Sequence, residues 1–205
     1  VATNVGRPRG FDREAALDAA LMTFWEHGFD AASVARLTGA MGITPPSLYA
    51  AFGDKKALFR EVVARYQATW GAYFGDALAE EPTASGGIAL ALHRAAAAFT
   101  DDAHPRGCLV ISSAVHCTPD ATDVADELRD IRNANLLLLE ERLRSDGEPA
   151  PATRARYAGT ILQGMSQQAR DGATRAELEA VAALAWPPPV APALRTGTAS
   201  GVAAG

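Results

Sequence analysis

The chain has 205 residues, a net charge of −5, 48% apolar and 7% aromatic residues. That length allows one large domain or two small ones, with a core that needs no covalent staples. No apolar run approaches the ~20 residues of a membrane span, and the N-terminal VATNVGRPRG lacks the apolar centre of a secretion signal. With only two cysteines there is no disulfide framework, so a reducing, cytoplasmic location is expected.

The acidic balance at first argues against a nucleic-acid partner, but its distribution does not. Residues 1–56 hold six Lys/Arg and six Asp/Glu, so the whole excess lies in 57–205. A neutral segment can hold DNA if its few cations face phosphates.

In chain order, residues 1–10 form a flexible basic arm with Arg7 and Arg9 between Gly6, Pro8 and Gly10. It is either a disordered terminus or an arm whose Arg7 or Arg9 enters a narrow minor groove. Asp12 can cap a helix running to His27, with Ala16, Leu17, Ala20, Leu21 and Phe24 along its buried stripe. Gly28 stops it, and Phe29 is expected to pack beneath the next two helices. His27, in the last turn, suits a dipole partner or phosphate neighbour better than a metal ligand.

Ser33 can cap a second helix whose apolar residues Val34, Leu37 and Met41 recur at three and four. Gly42 ends it. Thr44 then caps a short third helix, with Pro45 and Pro46 where missing N–H groups cost nothing. Leu48, Ala51 and Phe52 point inward. Thr44, Pro45, Pro46, Ser47, Tyr49 and Ala50 are left on the outer face. Gly53 breaks the helix and Asp54 caps the next. Two short helices joined at a glycine describe a helix-turn-helix. Tyr49 and Lys55 can hold phosphates, and so can the N–H groups behind Ser33; such contacts fix register rather than sequence.

Lys55 to about Glu80 is expected to be one long helix, loosened late at Gly71. Its cluster of Trp70, Tyr73 and Phe74 is core packing or the wall of an effector pocket. The candidate pocket set is Tyr66, Trp70, Tyr73, Phe74, His93, Phe99, Leu136 and Leu162. Residues 82–87 are expected to form a loop, Ile88–Asp102 a helix, and Cys108–His116 a short buried helix. Pro119–Ser145 is expected to be a long helix with Leu136–Leu139 buried. Helices over 152–170 and 174–186 precede a tail, 187–205, without amphipathic pattern. Cys108, Cys117, His104 and His116 cluster in sequence without a short metal-ligand spacing. They are buried hydrophobes and incidental histidines, or the basis of redox or metal sensing. No hydrolase, zincin, nucleotide-loop or dinucleotide motif is present, and adjacent acids such as Glu140-Glu141 diverge on a helix, so no catalytic residue is assigned.

Gly42, Leu48, Tyr49, Phe52, Lys55, Ala57 and Leu58, spaced G-x5-LY-x2-F-x2-K-x-AL and preceded by His27-Gly28-Phe29, resemble the DNA-binding module of the TetR family of bacterial transcriptional repressors. The close resemblance covers about the first 60 residues. It implies an all-α protein: a three-helix reader over 11–56 and a helical ligand-binding and dimerisation domain over 57–186. It also implies a homodimer on double-stranded operator DNA, released by a small-molecule effector, without cofactor, metal or membrane. The last two helices would pair with their copies through Tyr157, Ile161, Met165, Leu178, Val181 and Leu184. A repressor responding to redox or metal through Cys108 and Cys117 is the alternative. One departure stands out. Many members of the family carry a basic or polar residue at Pro45-Pro46 and His or Arg near Ala50 and Ala51. This recognition helix therefore offers thymine-methyl contacts rather than bidentate base readout.

Overall fold

The computed structural model describes residues 10–113 and 118–186, and every regular element among them is helical. Arg7, Arg9, His116, Cys117 and the tail 187–205 lie outside the described residues. The helices are α1 (Arg13–Ala31), α2 (Val34–Met41), α3 (Pro45–Phe52), α4 (Lys55–Ala68), α5 (Tyr73–Glu80), α6 (Ala84–Phe99), α7 (Leu109–Ser112), α8 (Thr122–Ser145), α9 (Pro151–Arg170) and α10 (Arg175–Ala185). A 3-10 turn, Pro119–Ala121, leads into α8.

The Asp12 carboxylate accepts the Glu14 and Ala15 N–H groups at 3.0 and 3.1 Å, which starts α1. Gly28 kinks α1 at φ 75°, so the regular helix ends where the sequence suggests. The kink leaves carbonyls without helical partners. The Arg170 guanidinium of α9 donates to two of them, Trp25 O at 3.4 Å and Glu26 O at 3.2 Å. Beyond the kink, Phe29 packs with Phe24 and Phe59 under the helix-turn-helix.

α2 and α3 meet at Gly42, whose φ of 66° is a left-handed cap favouring glycine. Leu37, Leu48 and Phe52 are buried; α2 packs on α1, and α3 packs on α2 and α4, which fixes the angle at which α3 stands. α4 supplies Leu58, Phe59, Val62, Val63 and Tyr66 to one apolar core running from Ala16 to Trp186. The 56/57 division thus falls inside α4.

The expected Lys55–Glu80 helix is two helices. The chain turns at Thr69–Ala72, where the Gly71 N–H donates back to Tyr66 O at 2.8 Å. A Cβ at Gly71 would sit 2.9 Å from the Tyr66 ring, so the turn needs glycine. The expected loop 82–87 is shorter, because Thr83 caps α6 by accepting the Gly86 N–H at 3.1 Å. Gly87 then lets α5 and α6 approach closely at Leu78. Of the helix expected over 108–116, the described residues show α7, and 114–116 lie outside them. In the Leu136–Leu139 run only Leu139 is buried, while Leu137 and Leu138 are 65% and 47% exposed. Four consecutive residues sweep the whole circumference of a helix, so one face of the run must point outward. Trp186 closes the described chain in the core, with its Nε1–H donating to Ser85 Oγ at 2.9 Å and Arg154 over its ring.

Candidate functional site

Two features separate in space: an exposed helix in the N-terminal part and a cavity in the helical body. On α3, Thr44, Pro45, Pro46, Tyr49 and Ala50 are exposed and Ser47 is half-buried. Leu48 and Phe52 are buried, while Ala51 is only half-buried. The Thr44 hydroxyl accepts the Ser47 N–H at 3.4 Å and shares a 2.9 Å hydrogen bond with Ser47 Oγ. Because Pro45 and Pro46 have no N–H, the start of α3 offers a phosphate almost no backbone donor. The start of α2 differs. Ser33 Oγ accepts the Arg36 N–H at 3.2 Å, and the Val34 and Ala35 N–H groups precede the first intrahelical bond, Leu37 N–H to Ser33 O. Exposed Arg36, outside the expected contact set, stands on the same turn with one nitrogen donating to Ala31 O. Lys55 is tied into the domain, donating to Asp30 O at 3.3 Å with its ammonium 4.4 Å from the Phe29 ring centre. It holds the turn after α3 together with Phe29, whatever else it touches.

The cavity, about 390 Å³, lies between α4, the α4–α5 turn, α5, α7, α8 and α9. Of the expected pocket residues, Tyr66, Tyr73, Phe74, Leu136 and Leu162 line it. Trp70, His93 and Phe99 do not. The turn at Thr69–Ala72 swings Trp70 away, against Trp25 and His104, into a separate shallow hollow. His93 lies off the buried stripe of α6, 57% exposed and facing Glu179 at 3.9 Å. Phe99 is buried behind the wall, edge-on to Tyr73. Val110, Ile111, Ile131, Arg132 and Asn135 also line the cavity, and none of them belongs to the expected set. A signal existed: Val124, Leu128, Leu139 and Leu143 mark the buried stripe of α8, and Arg132 and Asn135 interrupt it with polar groups.

Cys108 also lines the cavity. Its sulfur accepts the Tyr66 hydroxyl at 3.2 Å. Burial raises the Cys108 thiol and, with the neighbouring sulfur, pushes the Tyr66 phenol well above its ordinary value. A buried, protonated thiol is poorly reactive, so Cys108 itself does not favour redox sensing; Cys117 lies outside the described residues. His104 stacks on Trp25 and bonds to Pro105 O, and among the described residues no three His, Cys, Asp or Glu gather as for a metal.

Polar contacts join the two features. Lys56 donates to Asp123 at 2.7 Å and Asp120 O at 2.9 Å; Arg60 chelates Glu127 at 2.6–2.9 Å; the Thr118 N–H donates to Asp30 at 2.5 Å. Thus the start of α4, directly after α3, is clamped to the start of α8, which carries one cavity wall. Lys56 holds the Asp123 carboxyl below its ordinary range. A depressed folded pKa means the clamp contributes above the unfolded pKa and is lost as pH falls through the folded one. Asp123→Asn is therefore expected to melt slightly below wild type at neutral pH, with the gap closing on acidification. A pH-independent gap in thermal melts counts against this clamp.

Of the expected dimer residues, Tyr157 (42% exposed), Val181 (43%) and Leu184 (87%) are outward, and Ile161 is half-buried. Met165 and Leu178 are 1% and 2% exposed. Their side chains pack inside the protomer, because each sits on the α9 or α10 stripe that faces the core, so they leave the candidate interface.

A capped helix presented by a glycine turn, on a helical body with its own cavity, defines a helix-turn-helix transcriptional regulator. Residues 16–62 match the family of bacterial regulatory proteins, tetR family. The chain is 35% identical over 193 residues to the HTH-type transcriptional repressor ComR of Escherichia coli, covering 89% of this chain and 92% of ComR. It is 34% identical over 180 residues to the repressor BdcR of the same organism, covering 88% and 90%. A cysteine-substituted form of the TetR family regulator CifR, solved with 26-bp double-strand operator DNA, matches at TM-score 0.83 and 44% identity over 88% of this chain and 98% of that one. The chain belongs to the TetR family. Among the described residues no helix is long and apolar enough to cross a membrane.

Proposed function

We propose that the chain is a cytoplasmic homodimeric repressor that sets α3 of each protomer in the major groove of a two-fold operator and is released by a small molecule held in the 390 Å³ cavity. The observation that carries this reading is shared structure: α4 both begins directly after α3 and lines the cavity through Tyr66. α7, another wall, packs on α1 and α4. An effector that prefers a different setting of α4, α7 and α8 shifts the population away from the DNA-binding arrangement. The relatives named as repressors, and CifR seen on operator DNA, support the same direction.

On DNA, the α2 N-terminus, Ser33 and Tyr49 position the reader on phosphates, with Arg36 and Lys55 nearby. Thr44, Ser47, Pro45, Pro46 and Ala50 face the bases, and Arg7 or Arg9 adds minor-groove contacts. Fluorescence anisotropy with duplexes from the region upstream of its own gene tests the reading. Salt-sensitive binding to one of them is expected, and its absence from all of them sinks the proposal. Tyr49→Phe keeps the ring and removes the hydroxyl, so operator affinity should drop about two- to ten-fold, the worth of one hydrogen bond. Unchanged affinity would show that the hydroxyl holds no phosphate.

A further inference from the structure

Taking that cavity as the effector site, we infer that it receives a small organic carboxylate with an apolar body, the carboxylate pairing with the guanidinium of Arg132. Most of the lining is apolar or aromatic: Tyr73, Phe74, Ile131, Leu136, Leu139 and Leu162 among others. Arg132 of α8 stands in that wall, half-buried, and spends one nitrogen on the Val110 carbonyl at 2.8 Å. No carboxylate of the described residues lies within 4 Å of it, whereas Arg60 and Arg94 each hold one at 2.6 Å. Arg142 and Arg170 also lack a carboxylate, but both of their terminal nitrogens go to backbone carbonyls. Of these three, Arg132 lines this cavity and has only one terminal nitrogen bonded to a backbone carbonyl.

The electrostatics agree with the geometry. Burial lowers the Arg132 pKa, yet a guanidinium stays charged at neutral pH. Burial also keeps the neighbouring Cys108 thiol protonated, so it supplies no counter-charge. The carboxylate that does reach the cavity, exposed Asp76, raises the pKa of Arg94 on α6 and is not among the groups acting on Arg132. A half-buried cation without a counter-ion is unfavourable until an anion arrives. One guanidinium matches a planar monoanion in two parallel hydrogen bonds, and it leaves a dianionic phosphate under-compensated. Asn135, one turn along α8, and Gln163 of α9 add neutral donors beside it. Because Arg132 also holds Val110 of α7, a carboxylate drawing on it acts on the helix that packs against α1 and α4.

The experiment pairs four acids (benzoate, phenylacetate, hexanoate, octanoate) with their primary amides. Two readouts are taken on the full chain: thermal stabilisation and release from operator DNA. At least one acid should stabilise the protein and release operator, with its amide binding about ten- to a hundred-fold more weakly. Arg132→Gln should lose that acid's affinity by the same factor while still binding operator, and Arg132→Lys, which keeps the charge without the fork, should recover part of it. Amides that bind as tightly as their acids overturn the assignment, as does unchanged acid affinity in Arg132→Gln, or no stabilisation by any of the acids. The parent reading fails differently: acids that bind through Arg132 and leave the operator occupied retain the carboxylate site and remove its role in release.

Discussion

Phe24→Ala should lower the unfolding free energy by about 3–5 kcal/mol, the cost of emptying a fully packed aromatic site. Phe24 is 0% exposed, and its ring lies 4.9 Å edge-on from Phe59 and 6.1 Å from Phe29. These three rings come from α1, from beyond the Gly28 kink and from α4, so they bolt the helix-turn-helix to the long helices. Neighbouring rings cannot collapse into the space, because Phe29 is pinned by the kink and by Lys55 above its face. Against a typical total of about 5–15 kcal/mol, this loss is a large fraction, and a melting-temperature drop of roughly 6–20 °C is expected for a chain of this size. Operator binding should fail with it, since α3 is oriented only by what lies beneath it. Phe24→Leu retains most of the volume and should cost less than about 1.5 kcal/mol. Urea denaturation at fixed protein concentration checks both. A cost under about 1 kcal/mol for Phe24→Ala would show that the three-ring cluster does not hold the reader in place.

The local grammar of the reader was legible because each signal acts within four residues. Asp12, Ser33, Thr44 and Asp54 each cap the helix they precede, and Gly28, Gly42 and Gly53 each take positive φ. The body was less legible because its decisive features are tertiary. The turn at Thr69–Ala72 has one local mark, Gly71, which reads as a loosening; that it is a full turn depends on the Tyr66 ring packed over it. That turn decides which aromatics reach the cavity, so reading one helix through it placed Trp70 with Tyr73 and Phe74 when it belongs with Trp25 and His104. Arg132, one of several polar residues lining the cavity, sits within a buried stripe, where a period of three and four registers it only as a break in the pattern. Met165 and Leu178 show the same limit from the other side. Periodicity tells that a face is apolar, but not whether the surface covering it is this protomer or a second copy.

Val181→Glu with Leu184→Glu separates those two coverings. The two residues lie one turn apart on α10, 43% and 87% exposed. Leaving such side chains in water forgoes about 1.5–3 kcal/mol each relative to burial, and in a two-fold interface every substitution enters twice. Nothing inside the protomer depends on their burial, and the α10 start is held independently by the Thr174–Glu177 capping box. The double variant should therefore remain folded while its mass in light scattering falls to that of the 21.4 kDa monomer. Affinity for a two-half-site operator should drop by about 10²–10⁴, because two linked readers bind with one another's effective concentration and a single reader does not. Single half-site binding should be nearly unchanged. Met165→Ala or Leu178→Ala should behave oppositely, costing about 2–5 kcal/mol of protomer stability through a core cavity. If the glutamate variant keeps a dimer's mass, the α9–α10 face is not the interface. If it becomes monomeric yet holds the full operator as tightly as before, one α3 suffices for recognition, and a proline- and alanine-faced helix would then be reading far more of its operator alone than its side chains can account for.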